Sequence, residues 1–121
     1  MVLFKKTKMK MLTPNDFEGK KLKNVKDGML MIGSEYCGYC QMVKPTWEQF
    51  YKFAGKDFPV MAIDAVVYPE LVKKLGVKGY PTIFKIQKGK LKPYTGERTL
   101  FDFVSEMCDL DKSHKRCKEN S

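Results

Sequence analysis

Cys37 and Cys40 are separated by two residues, Gly38 and Tyr39, and this pair is the part of the sequence best suited to chemistry. Exchange between thiols and disulfides needs one thiolate that attacks a disulfide sulfur and a second thiol that releases the mixed disulfide. Two cysteines in this spacing at the start of a helix provide both groups. The motif therefore predicts a redox-active dithiol.

Two other uses of the cysteine pair stay open. The four cysteines of the chain are too few and too unevenly spread for a small fold held together by disulfides. Zinc is the main competing chemistry, because His114 and Cys117 would complete a Cys3His site with the pair. Structural zinc pairs usually lie on turns, whereas this pair follows an apolar run and opens a helix. The other alternative is two buried cysteines without chemistry.

Cys37 is the predicted nucleophile, and Cys40, one turn later, is the predicted resolving thiol. The dipole and the unpaired N–H groups at a helix start favour a thiolate and lower a cysteine pKa from about 8.5 to roughly 3.5–7.5. Gly38 and Tyr39 set the stability of that thiolate, and a neutral tyrosine stabilises it less than a histidine would. We therefore expect a moderately reducing or isomerising pair.

Cys108 and Cys117 lie outside the motif. Cys108 falls on the apolar side of the last predicted helix, beside Met107, and is predicted to be a small buried hydrophobic residue. Cys117 lies among basic residues, which favour its thiolate. A disulfide between the two, or an intermolecular bond through Cys117, is the alternative.

The elements that position the cysteine pair are a buried strand and a long helix. The apolar run 29–32, ended by Gly33, predicts a strand that leads directly to Cys37. The following helix is predicted over about 37–54, and Pro45 inside it is expected to kink it. The apolar residues that recur in it at helical spacing are Met42, Val43, Trp47, Phe50 and Phe53.

The rest of the chain continues the alternation of strands and helices. We predict strands near 9–12, 60–63, 82–86 and 90–92, and helices from Pro14, from Pro69 and over about 99–110. Lys88-Gly89 predicts a hairpin, and Pro93 restricts the last strand to an edge or end position. The pattern indicates the α/β class, with a mixed central β-sheet flanked by helices on both faces.

Composition indicates one domain with a basic surface. A chain of 121 residues with 43% hydrophobic residues can fill one core without cross-links. Its 23 basic and 14 acidic residues give a net charge of +9, which favours acidic partners and is concentrated in residues 5–26 and 112–118. Nucleic acid is not an expected partner, because these segments lack regularly interleaved aromatic residues.

The sequence shows no membrane span, since no stretch approaches the roughly 18 consecutive apolar residues of a membrane helix. At the start, a very short apolar run precedes the lysines, which is neither the order nor the length of a secretory signal. These features predict a soluble, cytoplasmic protein, or an exported one if a signal has been removed. No cofactor is predicted.

Six short motifs occur in a fixed order along the chain. They are Leu12-Thr13-Pro14-Asn15-Asp16-Phe17, Tyr36-Cys37-Gly38-Tyr39-Cys40, Pro45, Ile63-Asp64-Ala65, Gly79-Tyr80-Pro81-Thr82 and Tyr94-Thr95-Gly96-Glu97-Arg98-Thr99-Leu100. In this order they resemble a thioredoxin-fold domain, most closely a catalytic domain of the protein disulfide isomerase family. We accordingly divide the chain into a basic N-terminal arm with a short strand (1–11), a thioredoxin-like domain (12–110) and a basic C-terminal tail (111–121).

The resemblance implies roles for residues far from the cysteines. It implies a cis peptide bond before Pro81, with Tyr80 and Pro81 beside the cysteine pair and the Tyr80 backbone available to an extended substrate. It also implies that Arg98 eases deprotonation of Cys40. A proline that only ends a loop and an arginine on the surface are the simpler alternatives. The expected catalytic residues are Cys37, Cys40 and Arg98, and the expected substrate-binding residues are Tyr36, Gly38, Tyr39, Tyr80 and Pro81.

Three positions depart from the family pattern. Tyr36 replaces the usual tryptophan before the first cysteine, and Tyr39 replaces the usual histidine or proline before the second. Met31 replaces the buried carboxylate that accepts a proton from the resolving thiol. Glu35 is expected to face solvent and not to take over that role. Loss of the base predicts slow release of mixed disulfides near neutral pH.

Two functions follow as hypotheses. The first is a thiol-disulfide oxidoreductase, a reductase or isomerase of protein substrates, served by a redox partner of unknown identity. The second is a redox-weak module that holds partner proteins on the surface formed by Tyr36, Tyr39 and Tyr80. The intact cysteine pair favours the first hypothesis, and Met31 favours the second.

Overall fold

The computed structural model describes residues 3–118, and within them lie seven strands and four α-helices. The strands are β1 (Lys10–Met11), β2 (Phe17–Glu18), β3 (Lys21–Leu22), β4 (Asp27–Gly33), β5 (Val60–Asp64), β6 (Thr82–Gln87) and β7 (Lys90–Pro93). The helices are α1 (Gly38–Ala54), α2 (Pro69–Lys74), α3 (Leu100–Leu110) and α4 (Lys115–Lys118).

All seven strands form one mixed sheet in the order β1-β5-β4-β6-β7-β3-β2. The central strand β4 runs parallel to β5, from Met29 opposite Val60 to Gly33 opposite Asp64. On its other side β4 pairs antiparallel with β6. Since Met29–Ile32 are fully buried, β4 is a fixed platform for the loop that leads to Cys37.

Helices cover both faces of the sheet, as predicted. Successive side chains of a strand point to opposite faces, and the buried residues of β4 and β5 divide accordingly. One set packs with α1 and α3, and it contains Met29, Met31, Val60 and Ala62. The other packs with α2, and it contains Leu30, Ile32, Met61 and Ile63. On the first face, the rings of Trp47 and Phe103 meet edge to face with centroids 4.9 Å apart, which joins α1 to α3.

Helix α1 lies where it was predicted, with Pro45 inside it and Cys37 as its N-cap. Its buried residues are Cys40, Val43, Trp47, Phe50 and Ala54. Met42 was placed with the apolar residues of this helix face, and this prediction was wrong because its side chain is 73% exposed. Met42 lies two residues after Cys40, about 200° around the helix, and therefore points away from the buried side.

The segment before β4 differs from the prediction. The expected helix is a single 3-10 turn, Pro14–Asp16. In its capping box the N–H of the N-cap residue Thr13 donates a 2.8 Å hydrogen bond to Asp16 Oδ2. It is followed by a β2–β3 hairpin that was not predicted. Gly19 in its turn has a φ of +64°, a conformation that glycine adopts without strain.

Residues near both ends of the described chain pack into the core. Leu3 and Phe4 are 2% and 4% exposed, although they precede the basic segment. His114 is 3% exposed and its Nε2 lies 2.8 Å from the carbonyl oxygen of Ala54. Within residues 3–118, none of the helices combines the length and the apolar character that a bilayer crossing requires.

Candidate active site

The sulfur of Cys37 lies at the N-terminus of α1. Cys37 is the N-cap residue with extended backbone angles, and its Sγ accepts a hydrogen bond of 3.2 Å from the N–H of Cys40. The Cys37 thiol lies 3.5 Å from the carbonyl oxygen of Tyr80, to which it donates. Cys37 is half-buried, so one sulfur of the pair is accessible to another molecule at the positive end of the helix dipole.

The second sulfur is enclosed. Cys40 is 0% exposed, and both cysteines of the pair are free thiols. Burial is the largest of the effects that raise the pKa of the Cys40 thiol to about 12, and its hydrogen bond with Cys37 is the second. A backbone hydrogen bond with Ser34 and the charge of Arg98 lower the pKa, but they do not offset the burial.

The wall behind Cys40 is apolar. A Cβ atom at Gly33 would lie 3.1 Å from the Cys40 sulfur and 2.9 Å from Cδ2 of Leu3, so only glycine allows this close approach. Met31 lies two residues earlier on the same face of β4, opposite Ala62, and both are fully buried. Glu35, which was expected to face solvent, is partly buried. Because residue 31 is methionine, this position provides no carboxylate that could accept the proton of Cys40.

The loop before β6 borders the cysteine pair. The peptide bond between Tyr80 and Pro81 is cis. Pro81 is buried, whereas Tyr80 is 40% exposed and its carbonyl oxygen meets the Cys37 thiol. Within residues 3–118 the N–H of Tyr80 has no hydrogen-bond partner. The loop thus brings an unpaired backbone donor next to the accessible sulfur.

Arg98, just before α3, reaches the same loop. Its Nη2 donates a hydrogen bond of 3.4 Å to the carbonyl oxygen of Pro81. Its charge is close enough to lower the pKa of Cys40. Arg98 is thus an exposed residue whose guanidinium contacts the cis-proline loop.

Comparison with known families identifies this arrangement. The family model for thioredoxin matches residues 8–109. The chain belongs to the thioredoxin family. The mixed sheet with helices on both faces is thus the thioredoxin fold, as the sequence predicted.

Curated relatives of this thioredoxin-family chain are protein disulfide isomerases. It is 32% identical over 111 residues to protein disulfide isomerase-like 2-1 of Oryza sativa subsp. japonica, covering 86% of this chain and 30% of the relative. It is 34% identical over 105 residues to protein disulfide-isomerase A6 of Mus musculus, covering 82% of this chain and 24% of the relative. The chain thus spans less than a third of the length of these relatives, and the predicted resemblance to their family is confirmed.

Solved structures show the same fold. The J-Trx1 fragment of ERdj5 superposes with a TM-score of 0.77 at 21% identity, covering 88% of this chain and 51% of that one. The Trx4 domain of ERdj5 gives a TM-score of 0.71 at 22% identity, covering 86% of this chain and 96% of that one.

Large exposed apolar side chains occur on segments that begin or end on the same side of the sheet as the thioredoxin-family cysteine pair. Those from the cysteine motif, the start of α1, the loop after β5 and the cis-proline loop are Tyr36 (81% exposed), Tyr39 (67%), Met42 (73%), Val66 (46%), Val67 (51%) and Tyr80 (40%). Gly38 lies among them, and a Cβ there would meet open space. The tyrosines are among the predicted substrate-binding residues, whereas the exposure of Val66 and Val67 was not predicted from the sequence. Two adjacent valines between a strand end and Pro69 were the available signal.

Cys108 and Cys117 are joined in a disulfide with a Cα–Cα distance of 5.6 Å. The prediction that Cys108 is only a small buried hydrophobic residue was therefore wrong, and the intramolecular alternative is confirmed. The Cys3His zinc alternative was also wrong, because Cys117 is bonded to Cys108 and His114 is bonded to Ala54, away from the cysteine pair.

Proposed function

We propose that this chain catalyses thiol-disulfide exchange on protein substrates, with Cys37 as the attacking thiol and Cys40 as the resolving thiol. The observation that carries the proposal is the asymmetry of the pair. Cys37 Sγ is accessible at a helix N-terminus, whereas Cys40 is fully buried one turn later. A substrate sulfur can approach the first sulfur but not the second. The protein disulfide isomerases among its relatives support the same chemistry.

The reaction with a disulfide substrate takes two steps. The Cys37 thiolate attacks one substrate sulfur, the substrate S–S bond breaks, and the first substrate thiolate leaves and takes up a proton. Cys40 then loses its proton, attacks the Cys37 sulfur and expels the second substrate thiolate. The substrate gains two electrons and the pair becomes a disulfide. In isomerisation the freed substrate thiolate attacks another disulfide of the same substrate, and the thiolate released from that bond attacks the mixed disulfide in place of Cys40. Cys37 leaves as a thiolate, and the substrate keeps its number of disulfides in a new pairing.

Tyr80 and Pro81 support the holding of an extended substrate segment. The N–H of Tyr80, unpaired within residues 3–118, is available to a substrate carbonyl next to the reacting sulfur. Tyr36 and Tyr39 add exposed aromatic surface within the cysteine motif itself. In this proposal the tyrosines, with Gly38, contact substrate, and Arg98 assists Cys40 through its charge.

Trapping experiments test the exchange chemistry. A Cys40→Ser chain should accumulate a mixed disulfide with scrambled, disulfide-bonded ribonuclease or with insulin, because the resolving thiol is gone. A Cys37→Ser chain should trap no substrate, since the buried Cys40 cannot be reached. Equal trapping by both variants would contradict the assigned roles.

A second candidate function is a binding module with little redox turnover. The exposed apolar set around Cys37 and the raised pKa of Cys40 favour it, because the first allows binding and the second slows release. Turnover separates the two functions. An exchange enzyme reduces insulin repeatedly with dithiothreitol or a redox partner, whereas a binding module retains unfolded substrate equally well after Cys37→Ser with Cys40→Ser.

The direction of exchange is a further part of the proposal. Tyr39 provides no charge to stabilise the Cys37 thiolate, which supports a reducing or isomerising pair over a strong oxidant. Equilibration with glutathione measures the reduction potential, and about 30 mV corresponds to a tenfold change in the two-electron equilibrium. A potential as high as that of the strong oxidants, about −120 mV, would contradict this assignment.

A further inference from the structure

A groove of about 510 Å³ lies at the end of the molecule opposite Cys37. It is bordered by the last turns of α1, the 3-10 turn Gly55–Asp57, the start of β5 and residues 8–10 at the sheet edge. Helix α1 has 17 residues, so its ends are about 25 Å apart at 1.5 Å per residue. The groove is therefore separate from the candidate active site.

Lysines form the rim of this groove. The four that line it are Lys8, Lys10, Lys52 and Lys56, and all are exposed. No acidic side chain lines the groove. Lys10 lies 3.7 Å from Asp16, but Lys8, Lys52 and Lys56 have no ion-pair partner within residues 3–118. The rim thus carries at least three charges without a neutralising side chain.

The floor of the groove is mainly apolar. It is formed by Val25, Tyr51, Phe58, Pro59, Val60 and Met61. Of the two strands along it, β1 is at the edge of the sheet and pairs on one side only, with β5. An edge strand can add the main chain of another molecule through backbone hydrogen bonds. Apolar floor, cationic rim and open strand edge together match an extended polypeptide.

The C-terminal segment adds positive charge at the same end of the molecule. The hydrogen bond between His114 and the Ala54 carbonyl fastens α4, which begins with the exposed Lys115, beside the chain that enters the groove at Gly55. The disulfide between Cys108 and Cys117 holds it there as well. Clustered charge of one sign raises the local concentration of an oppositely charged ligand, and salt screens the effect.

We propose that this basic groove, lined by Lys8, Lys10, Lys52 and Lys56 over an apolar floor, binds a peptide segment in which acidic and apolar side chains alternate. The acidic side chains pair with the lysines, and the apolar ones cover Val25, Tyr51 and Pro59, the partly exposed residues of the floor. This surface is independent of the exchange reaction, because it lies at the other end of α1.

Other polyanions fit the groove less well. Phosphate groups are held best by arginine forks and by converging backbone N–H groups, and no arginine lines the groove. The apolar floor is recessed below the lysines, so it does not offer the protruding side chains that insert into a membrane. Single-stranded nucleic acid needs several aromatic side chains on which successive bases stack, but of the aromatic residues that line the groove only Tyr51 is not fully buried.

Fluorescence anisotropy with a labelled decapeptide of alternating glutamate and leucine, blocked at both ends, tests the proposal on the full chain. The triple variant Lys8→Gln, Lys52→Gln, Lys56→Gln should weaken binding about tenfold, because an exposed ion pair contributes up to about a fivefold change in affinity. The control triple variant Lys20→Gln, Lys73→Gln, Lys74→Gln removes the same three charges, from +9 to +6, at exposed positions outside the groove. It should stay within about twofold of the unchanged chain.

Four outcomes would overturn the proposal. The first is an equal loss of affinity in the two triple variants. The second is equal binding of a peptide with glutamine in place of glutamate, and the third is protection of Cys37 from alkylation by the peptide. The fourth is tighter binding of oligothymidine or of phosphatidylserine vesicles with the same dependence on the three lysines, which would assign the groove to another class of partner. The anisotropy does not depend on Cys37 or Cys40, so peptide binding by the Cys37→Ser chain separates failure of the groove from failure of the exchange reaction.

Discussion

Release of a mixed disulfide by Cys40 should become faster throughout the range from pH 8 to pH 10. The Cys40 thiol has a pKa raised to about 12 in the dithiol state, chiefly by burial. In the mixed disulfide the Cys37 sulfur no longer shares a proton or carries charge, so that part of the shift disappears while the burial remains. A thiol with a pKa of about 12 gains thiolate about 100-fold over these two pH units, whereas a thiol at the ordinary value of about 8.5 gains about fourfold. Since burial is the largest cause of the raised pKa, the gain in the mixed disulfide stays well above fourfold.

Stopped-flow reaction of the reduced chain with 5,5′-dithiobis(2-nitrobenzoate) resolves the two steps. Attack by Cys37 releases the first coloured thiolate, and attack by Cys40 on the mixed disulfide releases the second. Cys108 and Cys117 do not contribute, since they are joined in a disulfide. The Cys40→Ser chain should show the first phase alone. A second phase that levels off below pH 9 would refute the reasoning.

The same assay measures how much the absence of a base behind Cys40 slows the second phase. Met31 is fully buried on the face of β4 that carries Gly33. A Met31→Glu chain gains a base there and should accelerate the second phase near pH 7 by about 10², the lower range for general-base catalysis. Met31→Gln is the matched control, polar but not basic. A folded Met31→Glu chain with unchanged release and unchanged insulin reduction would contradict a missing base.

Three further predictions concern charge and stability. Arg98→Met removes a charge that lowers the pKa of Cys40, so the second phase should slow severalfold while circular dichroism stays unchanged; an unaltered rate would contradict the role of Arg98. The raised pKa of Cys40 means that the folded state holds the thiol proton more tightly than the unfolded state, so its stabilising effect is full below about pH 8.5 and is lost toward pH 12. The urea midpoint of the reduced chain should therefore fall between pH 8 and pH 10. It should fall more than that of the oxidised chain, in which Cys40 does not titrate. The raised pKa of Tyr94 acts with the same sign in both forms, so equal falls would argue against burial of the Cys40 thiol. Cys108→Ser with Cys117→Ser removes a cross-link between residues nine positions apart, and calorimetry should show a loss of about 2.6 kcal/mol and a Tm about 10 °C lower; an unchanged Tm would show that the C-terminal segment unfolds separately.

Elements with a strong local signal could be predicted from the sequence. The fully buried strands β4 and β5 are continuous apolar runs, and α2 has proline at its first turn and glycine after its end. The start of α1 at the cysteine pair followed from the apolar residues that recur at helical spacing after it. The roles of Arg98 and the tyrosines, and the division of the chain at residues 11 and 110, stay predictions.

Features that depend on contacts between distant residues could not be predicted. The strands β2 and β3 have two residues each, too few to show a period of two. Leu3 and Phe4 are buried only because the sheet and α1 meet at their position. The pairing of Cys108 with Cys117 depends on how α4 folds back, which local sequence does not determine.

The two ends of the described chain leave the domain at different poles. Leu3 contacts the position of Gly33 beside the Cys40 sulfur, whereas His114 fastens the last helix near Ala54 at the far end of α1. A tag or fusion partner joined ahead of Leu3 therefore starts at the end of the domain that carries the reacting sulfurs, and one joined beyond Lys118 starts at the end that carries the basic groove. Exchange kinetics are best measured with the tag on the C-terminus, and peptide binding with the tag on the N-terminus. Agreement between the two tagged forms would show that neither site is screened by the attachment.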